Sequence, residues 1–300
     1  MRMVRKGSAY YVAWARPIRP LSSTPVYDWL FAAADVCLTD TSAIAAYADR
    51  FDTTKLVGSI FHISRCGSTA LANAFRAIEG TLVISEARAL SSILLPPRYG
   101  GINAPAEVKE ALAVGFLGAV LKEFPAARII IKFPSLMSID IDGALRLLPR
   151  QRWCFMSRRP AEVIRSLERS PGGWLSNERA LRNVRRMFNI PESADKDLER
   201  PRVHAYLLEQ YLRSALHTRA DAVAFLDYSN FSYRSVIKVV RYLLQVELGW
   251  SELRKIARSL RFYSKSVEER PFLPDRPLTL PSGYTNLDDL YRVYLRRLER

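Results

Sequence analysis

The chain has 300 residues, with 45 Lys+Arg against 30 Asp+Glu and a formal net charge of +15. Its 49% hydrophobic and 25% charged composition is that of a globular domain and excludes a disordered or fibrous chain. No apolar run approaches the ~18–20 residues of a membrane-spanning helix; the longest, Leu30–Leu38, is broken by Asp35. Arg16 and Arg19 interrupt any signal-peptide core. Cys37, Cys66 and Cys154 make neither a CxxC pair nor an even framework, which argues against a disulfide scaffold and against a zinc site. The composition therefore reads as a cytoplasmic protein with reduced thiols. The positive charge favours anionic partners. It does not choose among nucleic acid, acidic membranes and phosphorylated or sulfated small molecules, because 36 of the 45 cations are Arg, a skew that a GC-rich coding sequence also produces.

In chain order, residues 1–50 read as an N-terminal extension packed on the core that follows. Short apolar runs then alternate with helical patterns. Val57–Ser64, Leu82–Ser85, Arg128–Lys132, Arg152–Ser157 and Ala222–Tyr228 are near-continuous apolar segments suited to a sheet covered on both faces. Helical periodicity falls at 69–79, 107–123, 140–148, 160–169, 202–219 and 233–245. The alternation predicts an α/β fold in three layers (α/β/α) around a central, mostly parallel sheet. Pro271, Pro274, Pro277 and Pro281 make residues 271–300 a wrapping segment that ends in a helix near 286–299. With no repeat and no linker, residues 1–300 read as one domain.

Three groups of residues carry chemistry. Arg65-Cys66-Gly67-Ser68-Thr69 ends a predicted strand and opens a helix. Gly67 permits a tight turn, and the amides of Gly67, Ser68 and Thr69 then face an anion at a helix N-terminus, with Arg65 adding a cation. The lysine of GxxxxGK[ST] is absent, and simple capping by Ser68 or Thr69 is the plain alternative. The second group is Arg158 and Ser166, at the next strand-to-helix junction, where Pro160 suits the first helical turn. Together they suit a second phosphate. The third is Glu86 and Lys132, each at a strand end, able to take a proton and to hold negative charge. Arg88 stands two residues on, placed to orient Glu86 or a substrate.

Arg65-Cys66-Gly67-Ser68-Thr69, followed about 90 residues later by Arg158 and Ser166, resembles the 5'-phosphosulfate loop and the R-x7-S 3'-phosphate motif of the sulfotransferases. These enzymes use 3'-phosphoadenosine 5'-phosphosulfate (PAPS) and release PAP. The resemblance covers roughly residues 57–245 and implies a P-loop-type fold. Cys66 stands where the family has serine. Pro134 stands where small-molecule sulfotransferases carry a histidine base. Glu86 and Lys132 are instead similar to the glutamate and lysine of tyrosylprotein sulfotransferases, which implies in-line transfer without a metal to the hydroxyl of a small molecule, glycan or peptide tyrosine. Tyr228 resembles a tyrosine near the nucleotide, and Lys265 falls where the family places a basic loop over the 3'-phosphate. Residues 88–107, 170–200 and the proline-rich tail are the implied acceptor pocket.

Two rival readings stand beside this one. Another P-loop phosphotransferase using ATP conflicts with the missing lysine. A non-catalytic relative would bind a polyanion on a stripe of Arg179, Arg182, Arg185 and Arg186 or of Arg292, Arg296, Arg297 and Arg300. The default for such a stripe is a solvated face, and its lack of interleaved aromatic residues predicts no nucleic-acid partner.

Overall fold

Strands buried along both alternating sides belong to a sheet covered on both faces, and five such strands organise this molecule. A computed structural model describes residues 2–6, 9–15, 36–46, 48, 51–125, 127–169, 177–192, 199–218, 223–261 and 285–298. In chain order the elements are β1 (Arg2–Lys6), β2 (Ala9–Ala15), β3 (Val36–Asp40), α1 (Thr41–Ala45), β4 (Leu56–His62), α2 (Ser68–Arg76), β5 (Thr81–Ser85), α3 (Arg88–Leu94), α4 (Ala106–Glu123), β6 (Arg128–Lys132), α5 (Ile141–Arg146), β7 (Arg152–Ser157), α6 (Pro160–Arg169), α7 (Glu178–Phe188), α8 (Glu199–His217), β8 (Val223–Asp227), α9 (Tyr233–Leu244), α10 (Trp250–Ser259) and α11 (Thr285–Leu298). The five strands expected from the sequence are β4 to β8, each within two residues at either end.

These five pair in parallel in the order β5-β6-β4-β7-β8. The chain leaves β4 on one side to build β5 and β6, then crosses to the other side for β7 and β8. In an open α/β sheet, the C-terminal strand ends at such a reversal form a ligand crevice. The register keeps those ends level. Ser85 lies opposite Lys132, Lys132 opposite Ile60, His62 opposite Met156, and Ser157 opposite Asp227. Residues at and just beyond each strand end therefore emerge along one edge.

Packing fixes this edge. Phe61 stacks on Phe133 at 4.7 Å between ring centroids and meets Trp153 edge-on at 5.9 Å. The chain of rings continues through Phe225 to Tyr294 on α11. Each fully buried ring of this kind contributes about 1.5–3 kcal/mol. α9 lies so close to β4 that a Cβ on Gly58 would come within 3.2 Å of Leu243. Among the helices, α2 packs with α9 and α10, α6 with α8 and α11, and α1 and α3 with α4.

Two features go beyond the sequence reading. The described part of the N-terminal segment forms a separate antiparallel sheet, β1-β2-β3. It joins the rest through β1 on α3 and through α1 on α4, where the Ile44 carbonyl approaches Gly115 so closely that a Cβ would stand 1.9 Å away. Helices α3 and α7 occupy parts of 88–107 and 170–200. The predicted final helix is present as α11, whereas residues 262–284 lie outside the described residues. Among the described residues, no helix is long and apolar enough to cross a membrane. No group of three or more His, Cys, Asp or Glu among them is arranged to hold a metal ion.

Candidate active site

The phosphate loop begins where β4 ends. Ser64, Arg65 and Gly67 have φ of 74°, 49° and 82°, three left-handed residues within four positions. Two are not glycine, for which this conformation is unfavourable and characteristic of functional turns. Gly67 is the N-cap of α2, and no side chain caps that helix. Plain capping by Ser68 or Thr69 is thus not what the turn serves. A Cβ on Gly67 would stand 3.3 Å from the Tyr228 ring, so both the dihedral and the space require glycine. Cys66 lies fully buried beneath the loop. Burial pushes its thiol up to about 11, despite hydrogen bonds from the Ser68 and Ile63 backbone. It is a neutral packing group.

The second anchor stands one strand away. Arg158 follows β7 with only 6% of its side chain exposed. Its Nη1 donates to the Arg65 carbonyl at 3.1 Å and its Nε to Glu162 at 2.8 Å. The guanidinium lies 4.4 Å over the centroid of Tyr228, the residue that follows β8. Arg65, Gly67, Arg158 and Tyr228 therefore form one contiguous wall. Behind it, the buried Asp227 carboxylate accepts from Ser157 Oγ at 2.5 Å, Tyr291 Oη at 2.7 Å, and Ser229 N and Oγ at 2.9 and 2.7 Å. Burial and this carboxylate hold the Tyr291 phenol far above its ordinary value, so it stays a donor. Ser166 is half-buried on α6, about 9 Å along the helix from Pro160 at 1.5 Å per residue.

Glu86 and Lys132 meet on the opposite side of the loop. Glu86 directly follows β5 with φ of 53°. Its amide donates to the Lys132 carbonyl at 2.7 Å, and its Oε1 accepts from Lys132 Nζ. Lys132 is 3% exposed. Arg88 is exposed at the first position of α3, and the ion pair that Glu86 makes is with Lys132. Two inter-strand spacings, about 10 Å in all, separate the end of β6 from the end of β7.

His62, at the end of β4, joins this centre. Nε2 lies 3.3 Å from Lys132 Nζ, and Nδ1 accepts from the Ser64 amide at 3.0 Å. Only its place at the end of the strand that opens the loop signalled a role. His204 lies elsewhere, buried on α8; burial, helped by Arg200, pulls it down to about 4. His217 is exposed on α8, with Nδ1 2.7 Å from the Arg213 carbonyl. Lys265 lies outside the described residues.

No protein-family model matches the sequence, and no curated protein does. Solved structures match in fold. The sulfotransferase STF9 from Mycobacterium avium aligns with a TM-score of 0.54 at 12% identity, over 85% of this chain and 81% of that one. The sulfotransferase domain from the curacin biosynthetic pathway aligns with a TM-score of 0.50 at 11% identity, over 79% of this chain and 97% of that one. The chain has the α/β fold of the sulfotransferases, as the motif resemblance implied.

Proposed function

We propose that the protein is a sulfotransferase that carries a sulfuryl group from PAPS to an acceptor hydroxyl. One observation carries this reading: an acid–base pair, Glu86–Lys132, and a buried cation on an aromatic ring, Arg158–Tyr228, flank one glycine-hinged anion loop on a single sheet edge. That spacing fits a nucleotide with a 5'-phosphosulfate in the loop and a 3'-phosphate beyond it.

PAPS supplies the activated sulfuryl group. Arg65, Cys66, Gly67, Ser68 and Thr69 bind the 5' end through the loop amides, two hydroxyls and a guanidinium. Arg158 and Ser166 bind the 3'-phosphate, Tyr228 braces Arg158, and Lys265 covers the nucleotide. Glu86 accepts the proton of the acceptor hydroxyl as that oxygen bonds to sulfur. Lys132 and Arg65 hold the negative charge on the sulfuryl oxygens and on the departing 5'-phosphate. Arg88 orients the acceptor, a small molecule, glycan or peptide tyrosine. Transfer on this pattern needs only side chains and backbone amides. Residues 1–300 act as one domain in this reading.

The test is thermal stabilisation by PAP, AMP and ATP at fixed ionic strength. A ligand at 100 times its dissociation constant adds about 2.7 kcal/mol, and PAP should exceed the other two clearly. Arg158→Ala should then weaken PAP about 10–150-fold, the equivalent of ~1.5–3 kcal/mol for a hydrogen bond to a charged group, and AMP by less than about threefold. Equal losses overturn the 3'-phosphate assignment, and an ATP preference favours a phosphotransferase. Glu86→Gln should keep PAP affinity while sulfuryl transfer falls about 10²–10⁴-fold, the contribution of a general base; full transfer removes Glu86 from that role.

A further inference from the structure

Trp250 is the most exposed large apolar side chain among the described residues, at 82% against 51% for the next, Val293. It opens α10, whose inward residues Leu253, Ile256 and Leu260 pack on the core, with the helix lying on α2 and α9. On the outward side, Trp250, Ser251, Arg254, Lys255 and Arg258 are all exposed and line one open cavity of about 450 Å³. We propose that this face of α10 is a docking surface for a partner protein that presents an acidic segment with an apolar side chain for Trp250. The proposal goes beyond the sulfotransferase reading and does not depend on it.

Helical spacing brings these residues together. At about 100° per residue, Trp250, Arg254 and Arg258 recur every four positions along one side, with Ser251 and Lys255 beside them and Ile256 on the reverse. The face runs about 12 Å from Trp250 to Arg258 at 1.5 Å per residue. Its lining holds three cations and no carboxylate. The acids nearest in the chain are engaged elsewhere: Glu252 accepts from the Gly249 amide at 2.9 Å, and Glu247 pairs with Arg241. Among the described residues, Arg254 and Lys255 make no ion pair. Tyr233, at the start of α9, donates to the Leu253 carbonyl at 3.2 Å and holds the first turn of α10 in place.

Charge and shape select the occupant. Trp and Arg are among the residues that carry most of the binding energy in protein interfaces, where they meet a partner's anchor in a pocket closed to water. Three cations with no carboxylate among them call for negative charge opposite. A second copy docked face to face would bring the same cations, on a chain already at +15. A bilayer calls for a helix with a whole apolar face outward, and here Leu253, Ile256 and Leu260 are committed to the core. Single-stranded nucleic acid calls for several aromatic rings along a groove, and this cavity has one. An acidic protein segment with one apolar side chain satisfies both the charge and the single ring.

The probes are two fluorescein-labelled dodecapeptides of alternating Glu and Ser, one with a central Phe and one with a central Gly, measured by anisotropy at about 150 mM salt. The parent should bind the Phe peptide at least about tenfold more tightly than the Gly peptide, 1.4 kcal/mol, and Trp250→Ala should erase that preference. The double variant Arg254→Ala/Lys255→Ala should weaken both peptides at least about tenfold. Arg179→Ala/Arg182→Ala removes equal charge from α7 and should change them by less than about twofold, since this salt screens remote charges. All these positions are exposed, so the melting midpoints should stay at the parent's value. A parent that binds neither peptide up to about 1 mM, a Phe preference that survives Trp250→Ala, or equal losses from the two double variants each overturn the proposal. So does a Trp250→Ala variant that loses more affinity for phosphatidylserine-containing vesicles, or for oligothymidine, than for the Phe peptide; that result assigns the face to a bilayer or to nucleic acid. None of these readouts involves PAP, so a failure of the sulfotransferase reading leaves them unchanged.

Discussion

Gly67 carries the sharpest constraint of any single residue in the site. Alanine there must adopt φ of 82° and push its Cβ to 3.3 Å from Tyr228, the ring under Arg158. The backbone cost of a left-handed alanine is about 1–2 kcal/mol, roughly 2–8 °C in midpoint at ~2–4 °C per kcal/mol for a large domain. Gly80 isolates the second effect, since at φ of 69° its Cβ would meet nothing within 4 Å. Gly67→Ala and Gly80→Ala should therefore lower the melting midpoint by similar amounts, while only Gly67→Ala weakens PAP, by at least about tenfold for 1.4 kcal/mol of displaced contact. Equal PAP affinity in the two variants would separate Tyr228 from the nucleotide. Gly67 was legible in the sequence, because a glycine between an apolar strand and a helix, next to Arg65 and Ser68, has few other uses. His62 was not. Its partners are an amide two residues away, in a conformation a serine seldom takes, and a lysine 70 residues on. Residue type reports neither.

At the scale of elements, α11 shows what spacing along the chain hides. The sequence placed a helix near its position but gave no reason for it to touch the site. Tyr291 on that helix completes the hydrogen bonds of Asp227, whose other donors, Ser157 and Ser229, adjoin Arg158 and Tyr228 in the chain. Tyr291→Phe leaves a buried carboxylate one donor short, a cost of about 1–3 kcal/mol. The midpoint should fall accordingly, and PAP affinity should fall with it while AMP affinity holds. Unchanged PAP binding in a destabilised variant would make α11 a prop of the fold only. The five parallel strands were legible because burial on both faces of the sheet leaves them mostly apolar, with most polar residues gathered towards their ends. Sheet β1-β2-β3 was not: two of its three strands lie within the first 15 residues, where no alternation of polar and apolar residues marks an exposed face. In α7 the even stripe of arginines divides on folding. Arg185 turns inward to Glu192 and the Ile190 carbonyl, while Arg179, Arg182 and Arg186 stay exposed.

Across the whole molecule, a net charge of +15 attracts any polyanion, so affinity for anions does not by itself distinguish a nucleotide site from a charged surface. Salt does. Exposed charges are screened over about 10 Å at 0.1 M and about 3 Å at 1 M ionic strength, and buried ones far less. Arg158 and Lys132 are 6% and 3% exposed, and the loop amides are backbone dipoles that salt does not displace. Polymer binding through Arg179, Arg182 and Arg186 instead releases counterions, and six to ten phosphate contacts lose about 10³–10⁵ in affinity between 50 and 200 mM salt. PAP titrated by calorimetry across that range should lose less than about tenfold, while duplex DNA or heparin measured beside it falls by orders of magnitude. A PAP affinity that falls as steeply as the polymer's places the nucleotide on the arginine face of α7. It would remove Arg158 and Lys132 from nucleotide binding together, because neither is exposed enough to be screened so strongly.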